Sequence, residues 1–378
     1  MILPTLLERP DLAPPIILKS IRITLQHGLS VLASSSFAVY AMFCLSAGIP
    51  VKEAKRFADL ALILLQRYKA IEYLPRVYAA VYGCVRVNVA PLRESMDYLL
   101  EASRVGALTG DFEFAGLCAN LYCFIAIDCG IPLDEILSRW QGFYHVMALN
   151  KRDSLTQMAL PSIHSVRIFM GIAGENGSDF AFDYDEGLET AAKQGVFSTL
   201  VGIKFCRMYT SYMFGDYDTA FRYRVLPNDI KMMAPSIEQS SSTFYLGMLC
   251  AELARQKKQV RRNLRTAKTC LRCLRRLSRS CPENFADKVF FLEAELASLQ
   301  KKTEIAFEKY VCAIGMAKYS GFIQLVGLAN ERLGWHLYRT GDSSAARGYW
   351  KEAQKCYGEW KAHGLVERME SVLQQNSK

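Results

Sequence analysis

No run of roughly 18 uninterrupted apolar residues, the length a membrane-crossing helix requires, occurs in this sequence. The nearest approaches, Phe57 to Leu65 and Leu121 to Ile131, are each broken by an aspartate. A membrane span is therefore not expected. Residues Met1 to Lys19 open Met-Ile-Leu-Pro and lack the order of a secretory leader, basic then apolar then small, which points to a cytoplasmic chain. Histidine is scarce, and His27, His145, His164, His336 and His363 are scattered without a carboxylate or cysteine beside them in a nucleophile–base arrangement. Also missing is Gly-x-x-x-x-Gly-Lys-Ser/Thr, whose backbone amides would wrap a phosphate at a helix N-terminus. Kinase signatures, His-Glu-x-x-His and Gly-x-Ser-x-Gly do not occur. Gly171-x-x-Gly174-x-x-Gly177 has the wrong spacing for a dinucleotide fingerprint and follows no strand pattern, so it reads as a loop. The expectation is a chain without catalytic residues, bound metal or cofactor.

What is present is ample material for a core: 51% of residues are hydrophobic and 22% charged, far from the composition of disorder. The 12 cysteines sit in apolar contexts such as Tyr122-Cys123-Phe124 and Phe205-Cys206, where a thiol acts as a small hydrophobe, consistent with a reducing compartment. Cys270-Leu271-Arg272-Cys273, with Cys281 beyond, has metal-ligand spacing, but no second ligand pair follows before Cys312; helix-packed thiols are the expectation. The sequon Asn176-Gly177-Ser178 is read as a chance product of a glycine-rich stretch. Trp335, Trp350 and Trp360 are spaced to pack neighbouring helices.

Apolar residues recur at three- and four-residue steps almost throughout, and no strand alternation stands out. Segments rich in Ala, Gly and aromatics begin near Ser34, Arg76, Asp111, Asp153, Val196, Glu238, Phe285 and Phe322, 35 to 47 residues apart. This drifting period is that of helical-hairpin arrays. The turns agree. Gly110-Asp111, Gly215-Asp216 and Gly341-Asp342 each open Gly-Asp-x-x-x-Ala: glycine ends one helix, aspartate caps the next, and the small residue allows a close helix crossing. Gly48-Ile49-Pro50 and Gly130-Ile131-Pro132 place proline at a helix start, where a missing amide costs nothing. The pattern weakens between Gly171 and Gly187, where the acidic run Asp183-Tyr184-Asp185-Glu186 is expected in a long loop or hinge, and again between Leu226 and Ser236.

Charge is local. The chain carries +9, yet Arg255 to Arg279 alone contains eleven Lys/Arg and no acid, leaving −2 for the remainder. On a helix, Val260, Leu264, Ala267, Leu271 and Leu274 form one stripe, and Arg261, Arg262, Arg265, Lys268, Arg272, Arg275 and Arg276 lie on the neighbouring arc. Such an arc reads first as a solvated outer face; among the anionic partners it could meet, an acidic protein segment is preferred to nucleic acid and to an anionic membrane surface. Nucleic acid is the alternative, disfavoured because the basic residues do not recur in every repeat.

Several stretches together resemble one known region. They are Leu3-Pro4 through Tyr40-Ala41, Leu99-Leu100-Glu101-Ala102-Ser103-Arg104 leading into Gly110-Asp111-Phe112-Glu113-Phe114-Ala115 and Cys118-Ala119-Asn120, then Cys281-Pro282-Glu283-Asn284-Phe285, Gly321-Phe322-Ile323-Gln324 with Leu328-Ala329-Asn330-Glu331, and Tyr357-x-x-Trp360. They are similar to the helical-repeat region of large multi-sensor signalling kinases of bacteria and some microbial eukaryotes. There, a serine/threonine kinase-like domain and an AAA-type nucleotide-binding domain precede the repeats, and a GAF domain and a histidine kinase follow. The resemblance implies a regulatory segment with no active-site residue within residues 1–378. The architecture expected is a right-handed, tetratricopeptide-like α-solenoid of about eight antiparallel helix pairs, either in halves 1–175 and 176–378 or as one continuous array. It would be a stiff rod with a concave surface open to peptides or neighbouring domains.

Overall fold

The computed structural model describes residues 11–174 and 180–376. Among them are nineteen α-helices and no strand. Helix α1 (Ala13–His27) leads into eight pairs. These are α2 (Ala33–Ser46) with α3 (Val51–Arg67), α4 (Leu74–Ala80) with α5 (Arg93–Thr109), α6 (Phe112–Asp128) with α7 (Leu133–Leu149), and α8 (Asp153–Met170) with α9 (Tyr184–Gln194). Then come α10 (Phe197–Met213) with the short α11 (Tyr217–Arg222) and α12 (Pro227–Met232), α13 (Ile237–Arg255) with α14 (Val260–Ser278), α15 (Pro282–Leu299) with α16 (Thr303–Ser320), and α17 (Ile323–Thr340) with α18 (Ser343–Glu359). Helix α19 (His363–Gln375) closes the array. The protein is an all-α solenoid, and each pair begins within three residues of the position its sequence marks.

The three Gly-Asp turns work as their chemistry requires. Gly110, Gly215 and Gly341 have φ of 81°, 80° and 98°, and the carboxylates of Asp111, Asp216 and Asp342 accept from the amides of Phe114 (3.4 Å), Thr219 (3.1 Å) and Ala345 (2.9 Å). Ala115, Ala220 and Ala346 are buried at the crossings. Three details differ from expectation. Pro50 and Pro132 are N-caps with extended ψ, one residue before the first helical turn. Asp183 caps α9 by accepting from the amides of Asp185 and Glu186 (both 2.9 Å), so the acidic run starts a helix, where negative charge is favoured, and does not lie in the loop. Asn176-Gly177-Ser178, the 175/176 boundary and Leu3-Pro4 lie outside the described residues.

The array is not an open rod. The main core cluster runs from Ile21 to Met369, beside a small second one around Tyr184 and Ile203, and residues about 200 positions apart meet. Arg93 Nη2 donates to the carbonyls of Cys129 (2.7 Å) and Gly321 (3.1 Å), and Gln324 Nε2 donates to that of Asp128 (2.7 Å). The Asn284 amide donates to the carbonyls of Val87 (2.9 Å) and Ala90 (2.8 Å) and accepts from the amide of Leu92 (3.1 Å). The Leu133 amide donates to Trp360 O (3.0 Å). At the last contact, Gly364 lies so close to the end of α8 that an added Cβ would fall 2.9 Å from Ile168 O. The first helices of the last three pairs therefore face the amino-terminal half of the chain. That is why α13 is buried on nearly every side, including Ser240, Ser241, Ser242 and Thr243.

Candidate functional site

The basic helix α14 is the outer member of its pair. Arg261, Arg262, Arg265, Lys268, Arg272, Arg275 and Arg276 are all exposed, while Asn263, Ala267, Cys270, Leu271 and Leu274 face α13 and α15. Val260 departs from the expected apolar stripe: it starts the helix at the surface, 39% exposed. Arg275 is neutralised by Glu293 at 2.7 Å, a carboxylate also held by Lys309 at 3.1 Å. Arg262 leans on Gln259 and Arg272 on Thr269 (2.9 Å). Arg261, Arg265, Lys268 and Arg276 meet no acidic partner among the described residues. The result is a strip of uncompensated positive charge on a rigid helix, free of acids for its whole length. The turn residues Gly110, Asp111, Gly215, Asp216, Gly341 and Asp342 are spread along the array and are not brought together; they cap helices.

Cysteine chemistry is muted. All twelve thiols are free and ten are buried. Burial pushes Cys84, Cys206 and Cys281 up to about 12, which leaves their nucleophilic thiolates scarce. Among the described residues no group of three His, Cys, Asp or Glu side chains is placed to hold a metal ion, and no helix is long and apolar enough to cross a membrane.

Two features of the interior carry no local sequence signal. One is an ion network between α13, α15 and α17. Arg332 donates from Nε to Glu295 Oε1 (2.7 Å) and from Nη2 to Glu252, and Arg255 Nη2 donates to Glu295 Oε2 (2.5 Å). Burial alone would raise Glu295; the guanidinium groups of Arg332 and Arg255 override it and hold the carboxyl far below the usual carboxylate range. Tyr217 OH accepts from Arg332 (3.1 Å), which ties in α11.

The other is a hollow of about 1070 Å³ between the first helical pairs and the segments from α10 to the start of α13, half-open to solvent. Its walls come from α1, α2, α4, α6, α8, α10 and the segment before α13, and they are mainly apolar: Ile16, Ile23, Val39, Met42, Leu117, Leu121, Phe124, Met158 and Val201. The guanidinium groups on its wall are already engaged, Arg76 by Asp111 (2.8 Å) and Arg152 by Glu113 (3.7 Å). Glu238, in the first turn of α13, lines both this hollow and a narrow crevice beside it that also reaches Asp128 and Ser241. It makes no ion pair among the described residues, and burial pushes it up to about 7. Asp128 is raised to about 6, again by burial, with Lys288 and the Ser241 hydroxyl (3.0 Å) opposing. In the sequence Glu238 looks like any acid at a helix start; only the fold encloses it.

No family model matches the chain, and no curated protein matches it. Among solved structures it is similar to a circular tandem repeat protein with novel repeat topology and enhanced subunit contact surfaces, at 14% identity over 97% of this chain and 89% of that one, with a TM-score of 0.20.

Proposed function

We propose that this protein is a non-catalytic interaction scaffold that receives an acidic protein segment along the outer face of α14. The observation that carries the reading is the exposed row Arg261, Arg265, Lys268 and Arg276, unpaired on an acid-free helix whose opposite side is fixed in the core. In a helical array the inner surface is the customary docking face, but in the last three pairs that surface meets the chain's own first half. Partners of the carboxy-terminal half are left with the outer helices. The residue resemblance set out above supports a narrower reading, that the scaffold serves as a regulatory helical-repeat segment of a signal-transducing kinase or ATPase assembly in the cytoplasm. The coding sequence on either side tests that reading: neighbouring kinase or sensor modules would support it, and unrelated neighbours would remove it.

The docking reading is tested by titrating a labelled Glu/Asp-rich peptide and, separately, a random DNA duplex. The peptide should saturate, and Arg265→Glu, Arg272→Glu and Arg276→Glu together should weaken it at least tenfold, with the effect shrinking as salt rises. A duplex that binds as tightly as the peptide, with affinity falling steeply with salt, would shift the assignment to nucleic acid. Peptide binding untouched by the triple variant would remove it altogether.

A further inference from the structure

Glu238 and the hollow it faces have no part in docking on α14, which lies on the opposite, outer side of the α13–α14 pair. A carboxylate beside apolar walls with no cation costs stability unless it takes a proton or gains a counter-charge. The guanidinium groups on the wall, Arg76 and Arg152, are committed to Asp111 and Glu113, and Lys19 and His27, exposed on α1, make no ion pair with Glu238. Lys204, on α10, is paired with Asp229 at 3.7 Å. Several of the other polar side chains on the walls are already bonded: Ser20 and Ser36 to each other (2.7 Å), Thr24 to the Ser20 carbonyl (3.0 Å), and Asn120 to Trp140 (2.9 Å) and the Leu155 carbonyl (3.4 Å). The Ser35 hydroxyl, also on the wall, is buried and has no hydrogen-bond partner. An extended peptide would leave its own amides and carbonyls unsatisfied against such walls. A small molecule would not, and the volume lies just above the roughly 300–1,000 Å³ usual for small-molecule sites.

We infer that the hollow binds a small amphipathic molecule bearing a protonated amine, its ammonium seated on Glu238 and its hydrocarbon body laid along Met42, Leu117, Leu121, Phe124 and Val201. The carboxylate supplies the counter-charge, the unpaired Ser35 hydroxyl is available to a polar substituent, and the apolar walls supply area. Selectivity should lie in the sign of the head group at Glu238, because an anionic head seated there would face an acid, while the wall's Lys19 stands exposed on α1 and makes no ion pair with Glu238.

The test uses the full chain and the neutral fluorescent reporter N-phenyl-1-naphthylamine, displaced in turn by n-nonylamine, 1-nonanol and nonanoate. The amine should displace it at least tenfold more effectively than the alcohol or the acid. In Glu238→Gln that preference should fall to within twofold while the reporter still binds. Val39→Trp, which fills the hollow from α2, should abolish reporter binding without lowering the melting temperature. Equal displacement by all three probes, a preference that survives Glu238→Gln, or undiminished reporter binding in Val39→Trp would each overturn the inference. Stronger displacement by an apolar helical peptide lacking basic residues would overturn it too, in favour of a peptide groove. Because the α14 variants leave the hollow intact, loss of acidic-peptide binding and loss of amine binding are separately readable.

Discussion

The two halves of this molecule apply one building rule to opposite ends. In the carboxy-terminal half the first helices of the pairs, α13, α15 and α17, are buried almost all round, with Arg332, Glu295, Glu252 and Arg255 joined in a satisfied network between them. In the amino-terminal half the corresponding helices α2, α4 and α6 border a hollow and their ion pairs lie at its surface; Glu238, at the start of α13, faces that hollow with no ion pair among the described residues. The difference teaches that a helical pair specifies its neighbours but not what fills its inner side; that is decided by how closely another part of the chain packs there. Here segments between Val87 and Ile168 pack against the last pairs, whereas α10 and the start of α13 reach the inner side of the first pairs and leave a hollow there.

The comparison can be broken most forcefully at Arg332. Arg332→Ala should cost about 3–5 kcal/mol, since it strands Glu295 and Glu252 in the core, whereas Arg76→Ala, at the half-exposed pair with Asp111, should cost less than about 1 kcal/mol. Urea denaturation of the two variants checks this, and equal losses would erase the distinction between the halves. Next in size is Asn284→Ala, which removes the partner of Leu92 N and of two carbonyls at the junction and should cost about 1–3 kcal/mol by the same measurement.

Glu238 sharpens the contrast through pH. Its folded carboxyl titrates near 7, against an unfolded value of about 4.3, so between those values the folded state holds the proton more firmly and stability falls as pH rises. Glu238→Gln should therefore melt higher than the parent at pH 7.5, by on the order of 1 kcal/mol or more, with the gap closing at pH 5. Glu295 runs the other way: held far below its ordinary value, it gives stability that is lost only as pH falls through strongly acid conditions. A Glu238→Gln gap that is the same at both pH values would mean that the acid is not enclosed. The smallest effect is expected at the caps. Asp342→Ala and Asp216→Ala should each cost about 1 kcal/mol by thermal melting, with little difference between halves, because capping is local.

This division between local and distant interactions also explains what the sequence disclosed. Helix starts, Gly-Asp turns and the exposure of the α14 arginines follow from residues within a few positions of one another, and the periodicity places them closely. The rod-like outline did not survive, because the contacts of Asn284 with Val87 and of Gln324 with Asp128 join segments whose sequences carry no mark of each other. Ser240, Ser241, Ser242 and Thr243, four consecutive polar residues, are all buried for the same reason. Val260 falls on the apolar stripe by angle alone, yet at the start of α14 it is 39% exposed. Glu238 could not have been singled out, since its distinction is the absence of a partner.

Closure of the carboxy-terminal pairs on the amino-terminal half is tested most directly by native-state hydrogen exchange at the amides of Leu92 and Leu133. Both stand at helix starts, where no intrahelical acceptor exists, and each donates across the junction, to Asn284 Oδ1 and Trp360 O. Slow exchange at both, with Asn284→Ala releasing Leu92 alone, is the result predicted. Exchange at both as fast as at unprotected first-turn amides would show the array open and contradict the account.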